Sequence, residues 1–334
     1  MIRATFEIGP AGSADALALQ LGAGMPGGAE AVRARVVADG GGRVVVDVPE
    51  SNFGGDVALL VSSVIAGEAM ELRRFDRCRL VALDLPGGWL PGPAFGAGTG
   101  VAVGVIVKPA LGLSPSEVAE VARAAIAGGA TFVKDDETLG NPPWCPLEKR
   151  VAAVAKVLGP GVVYCANVTG PTVTLVDRAR RVVELGATGV MVNAFAQGVD
   201  SVLALRAAGL GVPVFAHRVG AGPWSRNERF GATAAVLARL ARLCGADYVV
   251  VGAFGGKLFD DDAGVAASLE AVRGRCRAAR PAVAVLGGGL GPGDAAAQVA
   301  RAGGDGLLLC LGSAAYGHPG GLAAGVTGTL AALR

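Results

Sequence analysis

From about residue 101 the chain alternates short, almost unbroken apolar runs with longer segments in which apolar positions return every three or four residues. The apolar runs are VAVGVIVKP (101–109), TFVKDDE (131–137), VVYCANV (162–168), GVMVNA (189–194), VPVFAHR (212–218), DYVVVGA (247–253), AVAVLGG (282–288) and GLLLCLG (306–312). Each is rich in Val, Leu and Ile on both alternating sets of positions. A strand covered on both faces, as in a parallel sheet, needs that pattern because neither face meets water. The intervening segments read as helices. Ser114-Pro115-Ser116-Glu117 supplies an N-cap, a proline at the first helical position and a capping-box glutamate. Glu117, Glu120 and Arg123 then fall on one face and Val118, Val121 and Ala125 on another, until Gly128-Gly129 ends the run. The spacing also predicts helices over 226–243 and 264–279.

Eight strand–helix units over about 230 residues match the size of a closed (β/α)8 barrel. A doubly wound open sheet shares the period and is the alternative. Residues 1–95 differ: RATFEI, VRARVVA and GRVVVDVP resemble antiparallel strands, with a helix near 57–67. The expected α/β architecture is therefore a small α+β N-terminal domain (1–95) joined through the Pro/Gly stretch 86–100 to a TIM barrel (96–334).

Composition narrows the function classes. A hydrophobic fraction of 52% and a mean hydropathy of +0.50 raise the question of a membrane. The uncharged run 85–107 holds three prolines and seven glycines and would span a bilayer badly. The opening MIRATFEIGP lacks the basic and apolar regions of a secretory signal, so a soluble, cytoplasmic protein is expected. Thirty basic against twenty-eight acidic residues leave +2, which gives no reason to expect nucleic acid as a partner. The six cysteines are scattered without a CxxC pair, and only two histidines occur, so a zinc site or disulfide framework is not expected.

In a barrel, chemistry sits at the carboxyl ends of the strands. Read in order, those tips carry Lys108, Lys134-Asp135-Asp136-Glu137, Asn167, Asn193, His217-Arg218, a glycine-flanked Lys257, Gly287-Gly288-Gly289 and Gly312-Ser313. Asp136 and Glu137 are hard oxygen donors suited to Mg2+. Lys134 can take up CO2 as a carbamate and become a third oxygen ligand, or it can pair with one of the acids. Backbone N–H groups at Gly288, Gly289, Gly312 and Ser313 can hold a phosphate. Lys257 lies in a loop able to close over a substrate. Asn167, His217 and Arg218 are further substrate contacts by position, whereas His318 reads as structural.

These residues stand within longer matches. GVIVKPALGLSPSE, GGATFVKDDE, FAHR at 215–218, VVGAFGGKLF at 250–259 and LGGG…LCLGSAAYGHPGG occur in the order and spacing of the ribulose-bisphosphate carboxylase/oxygenase catalytic barrel, which this chain resembles over about residues 45–330. The resemblance implies that Lys134 is the carbamylated lysine, with Asp136 and Glu137 as magnesium ligands. It implies a proton-transfer and phosphate-contact role for Lys108 and a mobile-loop role for Lys257. Gly289, Gly312 and Ser313 match one phosphate site, and Arg218 matches a ligand of the other.

Departures from the pattern point away from carbon fixation. The carboxylases' second lysine is Ala110 here, and the histidine and serine that accompany Arg218 are Val250 and Gly287. The asparagine contributed by a paired subunit is Glu68, within SSVIAGEAMEL. The pattern is similar to the Rubisco-like proteins of form IV. Such proteins enolise or isomerise phosphorylated sugars, and some are linked to decarboxylation of a 3-oxo sugar acid phosphate. The resemblance thus implies a Mg2+-dependent enzyme enolising or isomerising a small phosphorylated keto-sugar. It also implies a homodimer or higher homo-oligomer in which Glu68 enters a neighbour's site. The alternatives are a decarboxylase of the 3-oxo-isoapionate-4-phosphate type and a non-catalytic barrel that binds a phosphometabolite. Lys108, the Lys134 carbamate and His217 are three unranked candidate bases.

Overall fold

The structure is a computed structural model and describes residues 1–334. Four strands, β1 (Ile2–Gly9), β2 (Arg35–Gly40), β3 (Arg43–Val48) and β4 (Arg77–Asp84), build an antiparallel N-terminal sheet. Strands β1, β3 and β4 alternate buried and solvent-facing positions, as a sheet with one covered face should. The expected helix near 57–67 forms as a four-residue helix, Val57–Leu60, continued by a wider π turn at Val61–Ile65. The Asp56 carboxylate caps it by accepting the Ala58 and Leu59 N–H groups.

All eight apolar runs become parallel strands: β5 (Val101–Ile106), β6 (Phe132–Lys134), β7 (Val163–Asn167), β8 (Gly189–Asn193), β9 (Val214–His217), β11 (Tyr248–Gly252), β12 (Val283–Leu286) and β13 (Leu307–Leu311). They close in the order β11-β12-β13-β5-β6-β7-β8-β9, with β11 pairing β9. Closure excludes the open-sheet alternative. The barrel interior is filled by one set of side chains, including Phe132, Cys165, Met191, Phe215, Val285, Leu308 and Cys310. The other set packs outward against the helices within a larger buried core. The capping box forms as expected at Ser114 and Glu117, at the start of helix Pro115–Ala127.

One expected helix is shorter. The segment 226–243 splits into a three-residue strand, β10 (Phe230–Ala232), and a helix, Ala234–Leu243, capped by Thr233. Strand β10 leaves the barrel and pairs parallel with β4, giving the N-terminal sheet the order β10-β4-β1-β3-β2. Gly231 makes this possible: its φ is +87°, and a Cβ there would run into the Trp224 carbonyl. The N-terminal sheet is therefore completed by a strand from beyond residue 95. The expected helix over 264–279 runs from Asp262 to Arg273 and stops before Gly274. No helix is long and apolar enough to cross a membrane.

Candidate active site

The residues at the carboxyl ends of the barrel strands converge on one cavity of about 570 Å3. Its walls include Lys108, Lys134, Glu137, His217, Arg218, Lys257, Gly288, Gly289, Gly312 and Ser313. Ten residues scattered over some two hundred positions thus face one space, because each follows a strand of the same closed barrel.

The acidic run after β6 divides by direction. Lys134 points inward and is 1% exposed, its Nζ donating to the Asp135 carbonyl at 2.7 Å and lying 3.5 Å from Glu137 Oε2. It also sits 5.8 Å over the ring of Phe215. Asp135, the next residue, points the other way, as strand alternation demands. Its carboxylate is fully buried, paired with Arg150 at 3.0 Å, and accepts the Tyr164 hydroxyl at 2.8 Å and the Asn167 N–H at 2.9 Å. Asp135 thus ties the strand to the helix layer and takes no part in the cavity.

Beyond the strand the chain bends: Glu137 lines the cavity, whereas Asp136, 1% exposed, does not line it and meets Lys108, which does. Asp136 Oδ1 accepts the Thr138 N–H and hydroxyl at 2.9 and 2.7 Å, and Oδ2 meets Lys108 Nζ at 2.5 Å. Burial opposes ionisation of Asp136, but the bonds from Lys108 and Thr138 outweigh it and hold its pKa below the ordinary carboxylate value. Glu137 is shifted the same way: burial again opposes ionisation, and Lys134, His217 and a backbone hydrogen bond together outweigh it. Glu137 Oε2 is buried and accepts no hydrogen bond.

That orphaned oxygen tests whether a metal fits. A buried carboxylate oxygen without a hydrogen-bond donor is costly, and the charge beside this one, Lys134 Nζ, stands 3.5 Å away, beyond hydrogen-bond contact. No group of three or more His, Cys, Asp or Glu side chains is arranged for a metal. Asp136 and Glu137 alone supply two hard oxygens, and Lys134, as a carbamate, is the side chain placed to supply a third. The donor set fits a hard divalent cation such as Mg2+ and suits zinc poorly.

Asn167 stands beneath the site rather than in it. It is 1% exposed, and its amide donates to the carbonyls of Asp136 and Glu137 at 3.3 and 3.1 Å. Asn193 donates to the Glu137 carbonyl as well, at 2.9 Å. The expected substrate contact by Asn167 is replaced by a brace that sets the acidic loop. His217 stacks on Phe215, and its Nδ1 accepts the Val219 N–H at 3.2 Å. The proton of the neutral ring is accordingly assigned to Nε2, which lies 3.5 Å from Glu137 Oε2. Burial, reinforced by the charge of Lys134, pushes the His217 pKa down to about 3. With Nδ1 engaged by the Val219 N–H, His217 directs Nε2 toward Glu137.

Several functional neighbours carry no sequence signal. The Tyr316 hydroxyl accepts the Lys108 N–H at 2.9 Å and donates to the Ile106 carbonyl at 2.7 Å, pinning the strand end from which Lys108 projects. Ser225, Arg226 and Phe259 also line the cavity. Gly288 and Gly289 have φ of +117° and +103°, a backbone region that L side chains rarely adopt, and this turns the chain at the rim. Glu68 is exposed on the N-terminal domain, where Gln20 donates to it at 2.6 Å. It does not line the cavity of its own chain.

Comparison with known proteins identifies the family. Residues 93–334 match the family described as ribulose bisphosphate carboxylase large chain, catalytic domain. A 3-oxo-isoapionate-4-phosphate transcarboxylase/hydrolase of Xanthobacter autotrophicus is 35% identical over 82% of this chain and 71% of its own. A 2,3-diketo-5-methylthiopentyl-1-phosphate enolase of Geobacillus kaustophilus is 34% identical over 62% of this chain and 54% of its own. Among solved structures, a rubisco-like protein from Burkholderia fungorum superposes with a TM-score of 0.90 at 26% identity, over 99% of this chain and 93% of the other. An octameric ribulose-1,5-bisphosphate carboxylase/oxygenase from Pyrococcus horikoshii gives a TM-score of 0.91 at 25% identity, over 99% and 87%. The chain therefore belongs to the ribulose bisphosphate carboxylase large-chain family, with Rubisco-like proteins among its relatives.

Proposed function

We propose that this chain is a Mg2+-dependent enzyme that enolises or isomerises a small phosphorylated keto-sugar and does not fix CO2. The observation that carries the reading is the placement of Lys108 against Asp136 beside the unsatisfied Glu137 Oε2, inside a cavity that also holds Lys257 and the glycine rim. Asp136, Glu137 and a Lys134 carbamate would hold the metal, which supplies positive charge to polarise a ketone oxygen and its neighbour.

The chain's own groups then divide the work. Lys108 sits at the open side of the acidic pair, its side chain 34% exposed, and moves the proton to or from the substrate carbon. Tyr316 fixes the backbone from which it projects. His217 presents Nε2–H as a donor. Backbone N–H groups at Gly288, Gly289, Gly312 and Ser313 take the phosphate. The Lys257 loop, tied to that rim by its N–H to the Gly288 carbonyl at 3.2 Å, covers the substrate and helps exclude water. Val250 and Gly287 line the cavity with no polar side chain, and Ala110 offers no amine after Lys108, which argues against carboxylation.

The enolase named among the relatives supports this reading. The transcarboxylase/hydrolase supports a second one, decarboxylation of a 3-oxo sugar acid phosphate, in which Lys257 would meet the carboxylate. The test is Mg2+-dependent deuterium uptake from solvent across a panel of phosphorylated keto-sugars, with and without bicarbonate. Uptake that requires both is expected. Metal-independent binding without any exchange or CO2 release would leave the non-catalytic barrel standing instead.

A further inference from the structure

One wall of the catalytic cavity is held by both domains. The segment 218–229 leaves barrel strand β9 and enters β10, which pairs with β4 of the N-terminal sheet. From this segment Arg218, Val219, Ser225 and Arg226 line the cavity. Its helix, Gly222–Ser225, is a single turn. One turn is unstable alone, and its last carbonyls find no partner within it. The N-terminal domain supplies one: Arg79 on β4 donates from Nη2 to the Ser225 carbonyl at 3.0 Å, across 146 positions of the chain. Ser225 is 5% exposed and lines two spaces, the catalytic cavity and an adjoining one of about 490 Å3 toward the N-terminal sheet, where Arg79 stands. Asp260, the first of three consecutive acids, also lines that rear space and pairs with Arg218 at 2.5 Å. The wall is thus held from behind at its root and at its far end.

Arg79 is partly buried, its Nε has no acceptor, and the bond to Ser225 is the one its guanidinium makes. An unsatisfied buried N–H opposes folding, so stability alone would favour an apolar side chain at this position. What the guanidinium does achieve is a cap on the end of the helical turn. The cap fixes where the next residue, Arg226, stands. Arg226 lies over the ring of Phe259, its guanidinium carbon 4.7 Å from the centroid, and Phe259 belongs to the Lys257 loop. A continuous line of contacts therefore runs from the N-terminal sheet through Arg79, Ser225, Arg226 and Phe259 to the loop that carries Lys257.

We propose that Arg79 is a positioning residue for the catalytic cavity of its own chain: from the N-terminal domain it holds the Ser225 carbonyl, and with it the wall on which Arg226 meets the Lys257 loop. It acts on substrate binding and not on proton transfer, since its guanidinium reaches the cavity through Ser225 alone. The kinetic half of the test below rests on the keto-sugar reading above, and the spectroscopic half does not.

Trp224 adjoins Ser225 and packs on Phe195 with ring centroids 6.4 Å apart, so its fluorescence reports the wall. In a chain carrying Trp89→Phe and Trp144→Phe, Arg79→Met should shift Trp224 emission to the red and raise its quenching by acrylamide, with circular dichroism unchanged. Arg79→Ala should do the same, and it serves in place of the Met variant should that one be unstable. Guanidinium ion at sub-denaturing concentration should restore the parent emission in Arg79→Ala. For a keto-sugar that exchanges deuterium, KM should rise about tenfold in Arg79→Met, the worth of a hydrogen bond from a charged group, with kcat within about twofold of the parent. Arg229→Met is the control. Arg229 anchors the same segment to the Asp76 carbonyl at 2.7 Å but lines neither cavity, so this variant should keep the parent emission and KM. Folded Arg79 variants with parent emission would overturn the proposal. So would an Arg229 variant that matches them in emission and KM, because Arg79 would then be one tether among several. A red-shifted Trp224 that guanidinium restores, in a protein that exchanges no sugar, would uphold Arg79 and remove the keto-sugar reading.

Discussion

Lys108 Nζ and Asp136 Oδ2 lie 2.5 Å apart across the tips of neighbouring strands β5 and β6. The same oxygen is a candidate metal ligand, so the ammonium and a divalent cation compete for one lone pair. Lys108→Met should lower turnover by about 10²–10⁴-fold, the usual worth of a positioned acid or base. It should leave Mg2+ affinity unchanged or higher, because Asp136 is released. Calorimetric titration of Mg2+ checks this, and weaker binding in the variant would place Lys108 on the metal-supporting side instead.

Lys134 is 1% exposed and faces Glu137 without another acid. Lys134→Ala should abolish metal-dependent turnover and remove any enhancement of Mg2+ binding by bicarbonate. Its circular dichroism should match that of the parent. Retained activity in this variant would remove the metal assignment.

Asp135 and Arg150 are both fully buried and paired; Tyr164 donates to Asp135, and three backbone carbonyls accept from Arg150. Removing one member leaves the other charge uncompensated in the interior. Arg150→Met should therefore destabilise the protein by about 3–5 kcal/mol, read as a drop in the urea midpoint. A shift within error would show that water reaches the site.

Carboxylation of ribulose bisphosphate should be absent. Ala110, Val250 and Gly287 stand where that reaction's extra lysine and phosphate partners are expected, and Arg218 is already paired with Asp260. Incorporation of labelled CO2 into phosphoglycerate above background is the result that would contradict this.

Glu68 is exposed and held by Gln20, away from its own chain's cavity, so any catalytic role must be played in a neighbour. Mixing inactive Glu68→Gln and Lys134→Ala subunits should restore about a quarter of the parent activity in a random pool of two-fold dimers, since half are mixed and each carries one intact site. No recovery after verified subunit exchange would show that each chain completes its own site.

The sequence by itself determined the elements and the membership of the site. Short continuous apolar runs fit strands covered on both faces, and each of the eight occupies its place in the barrel. A capping box is a contact over three residues, so the Ser114 cap was legible too. Lys108, Lys134, Glu137, His217, Arg218, Lys257 and the rim glycines follow from position at strand ends, since closure alone makes those ends converge. Tertiary structure decided whatever depends on partners distant in the chain. Strand β10 is three residues long, and its pairing with β4 spans about 150 positions, so no local period announces it. Asn167 is polar like a ligand but faces backbone carbonyls rather than the cavity. His217 gives its Nδ1 to the Val219 N–H and turns Nε2 toward Glu137, an orientation that the loop after β9 sets. In the same way Asp260 looks like one of three interchangeable acids until the fold aims it at Arg218. Periodicity fixes which face a side chain is on; which charge it meets there depends on the packing of elements far apart in sequence.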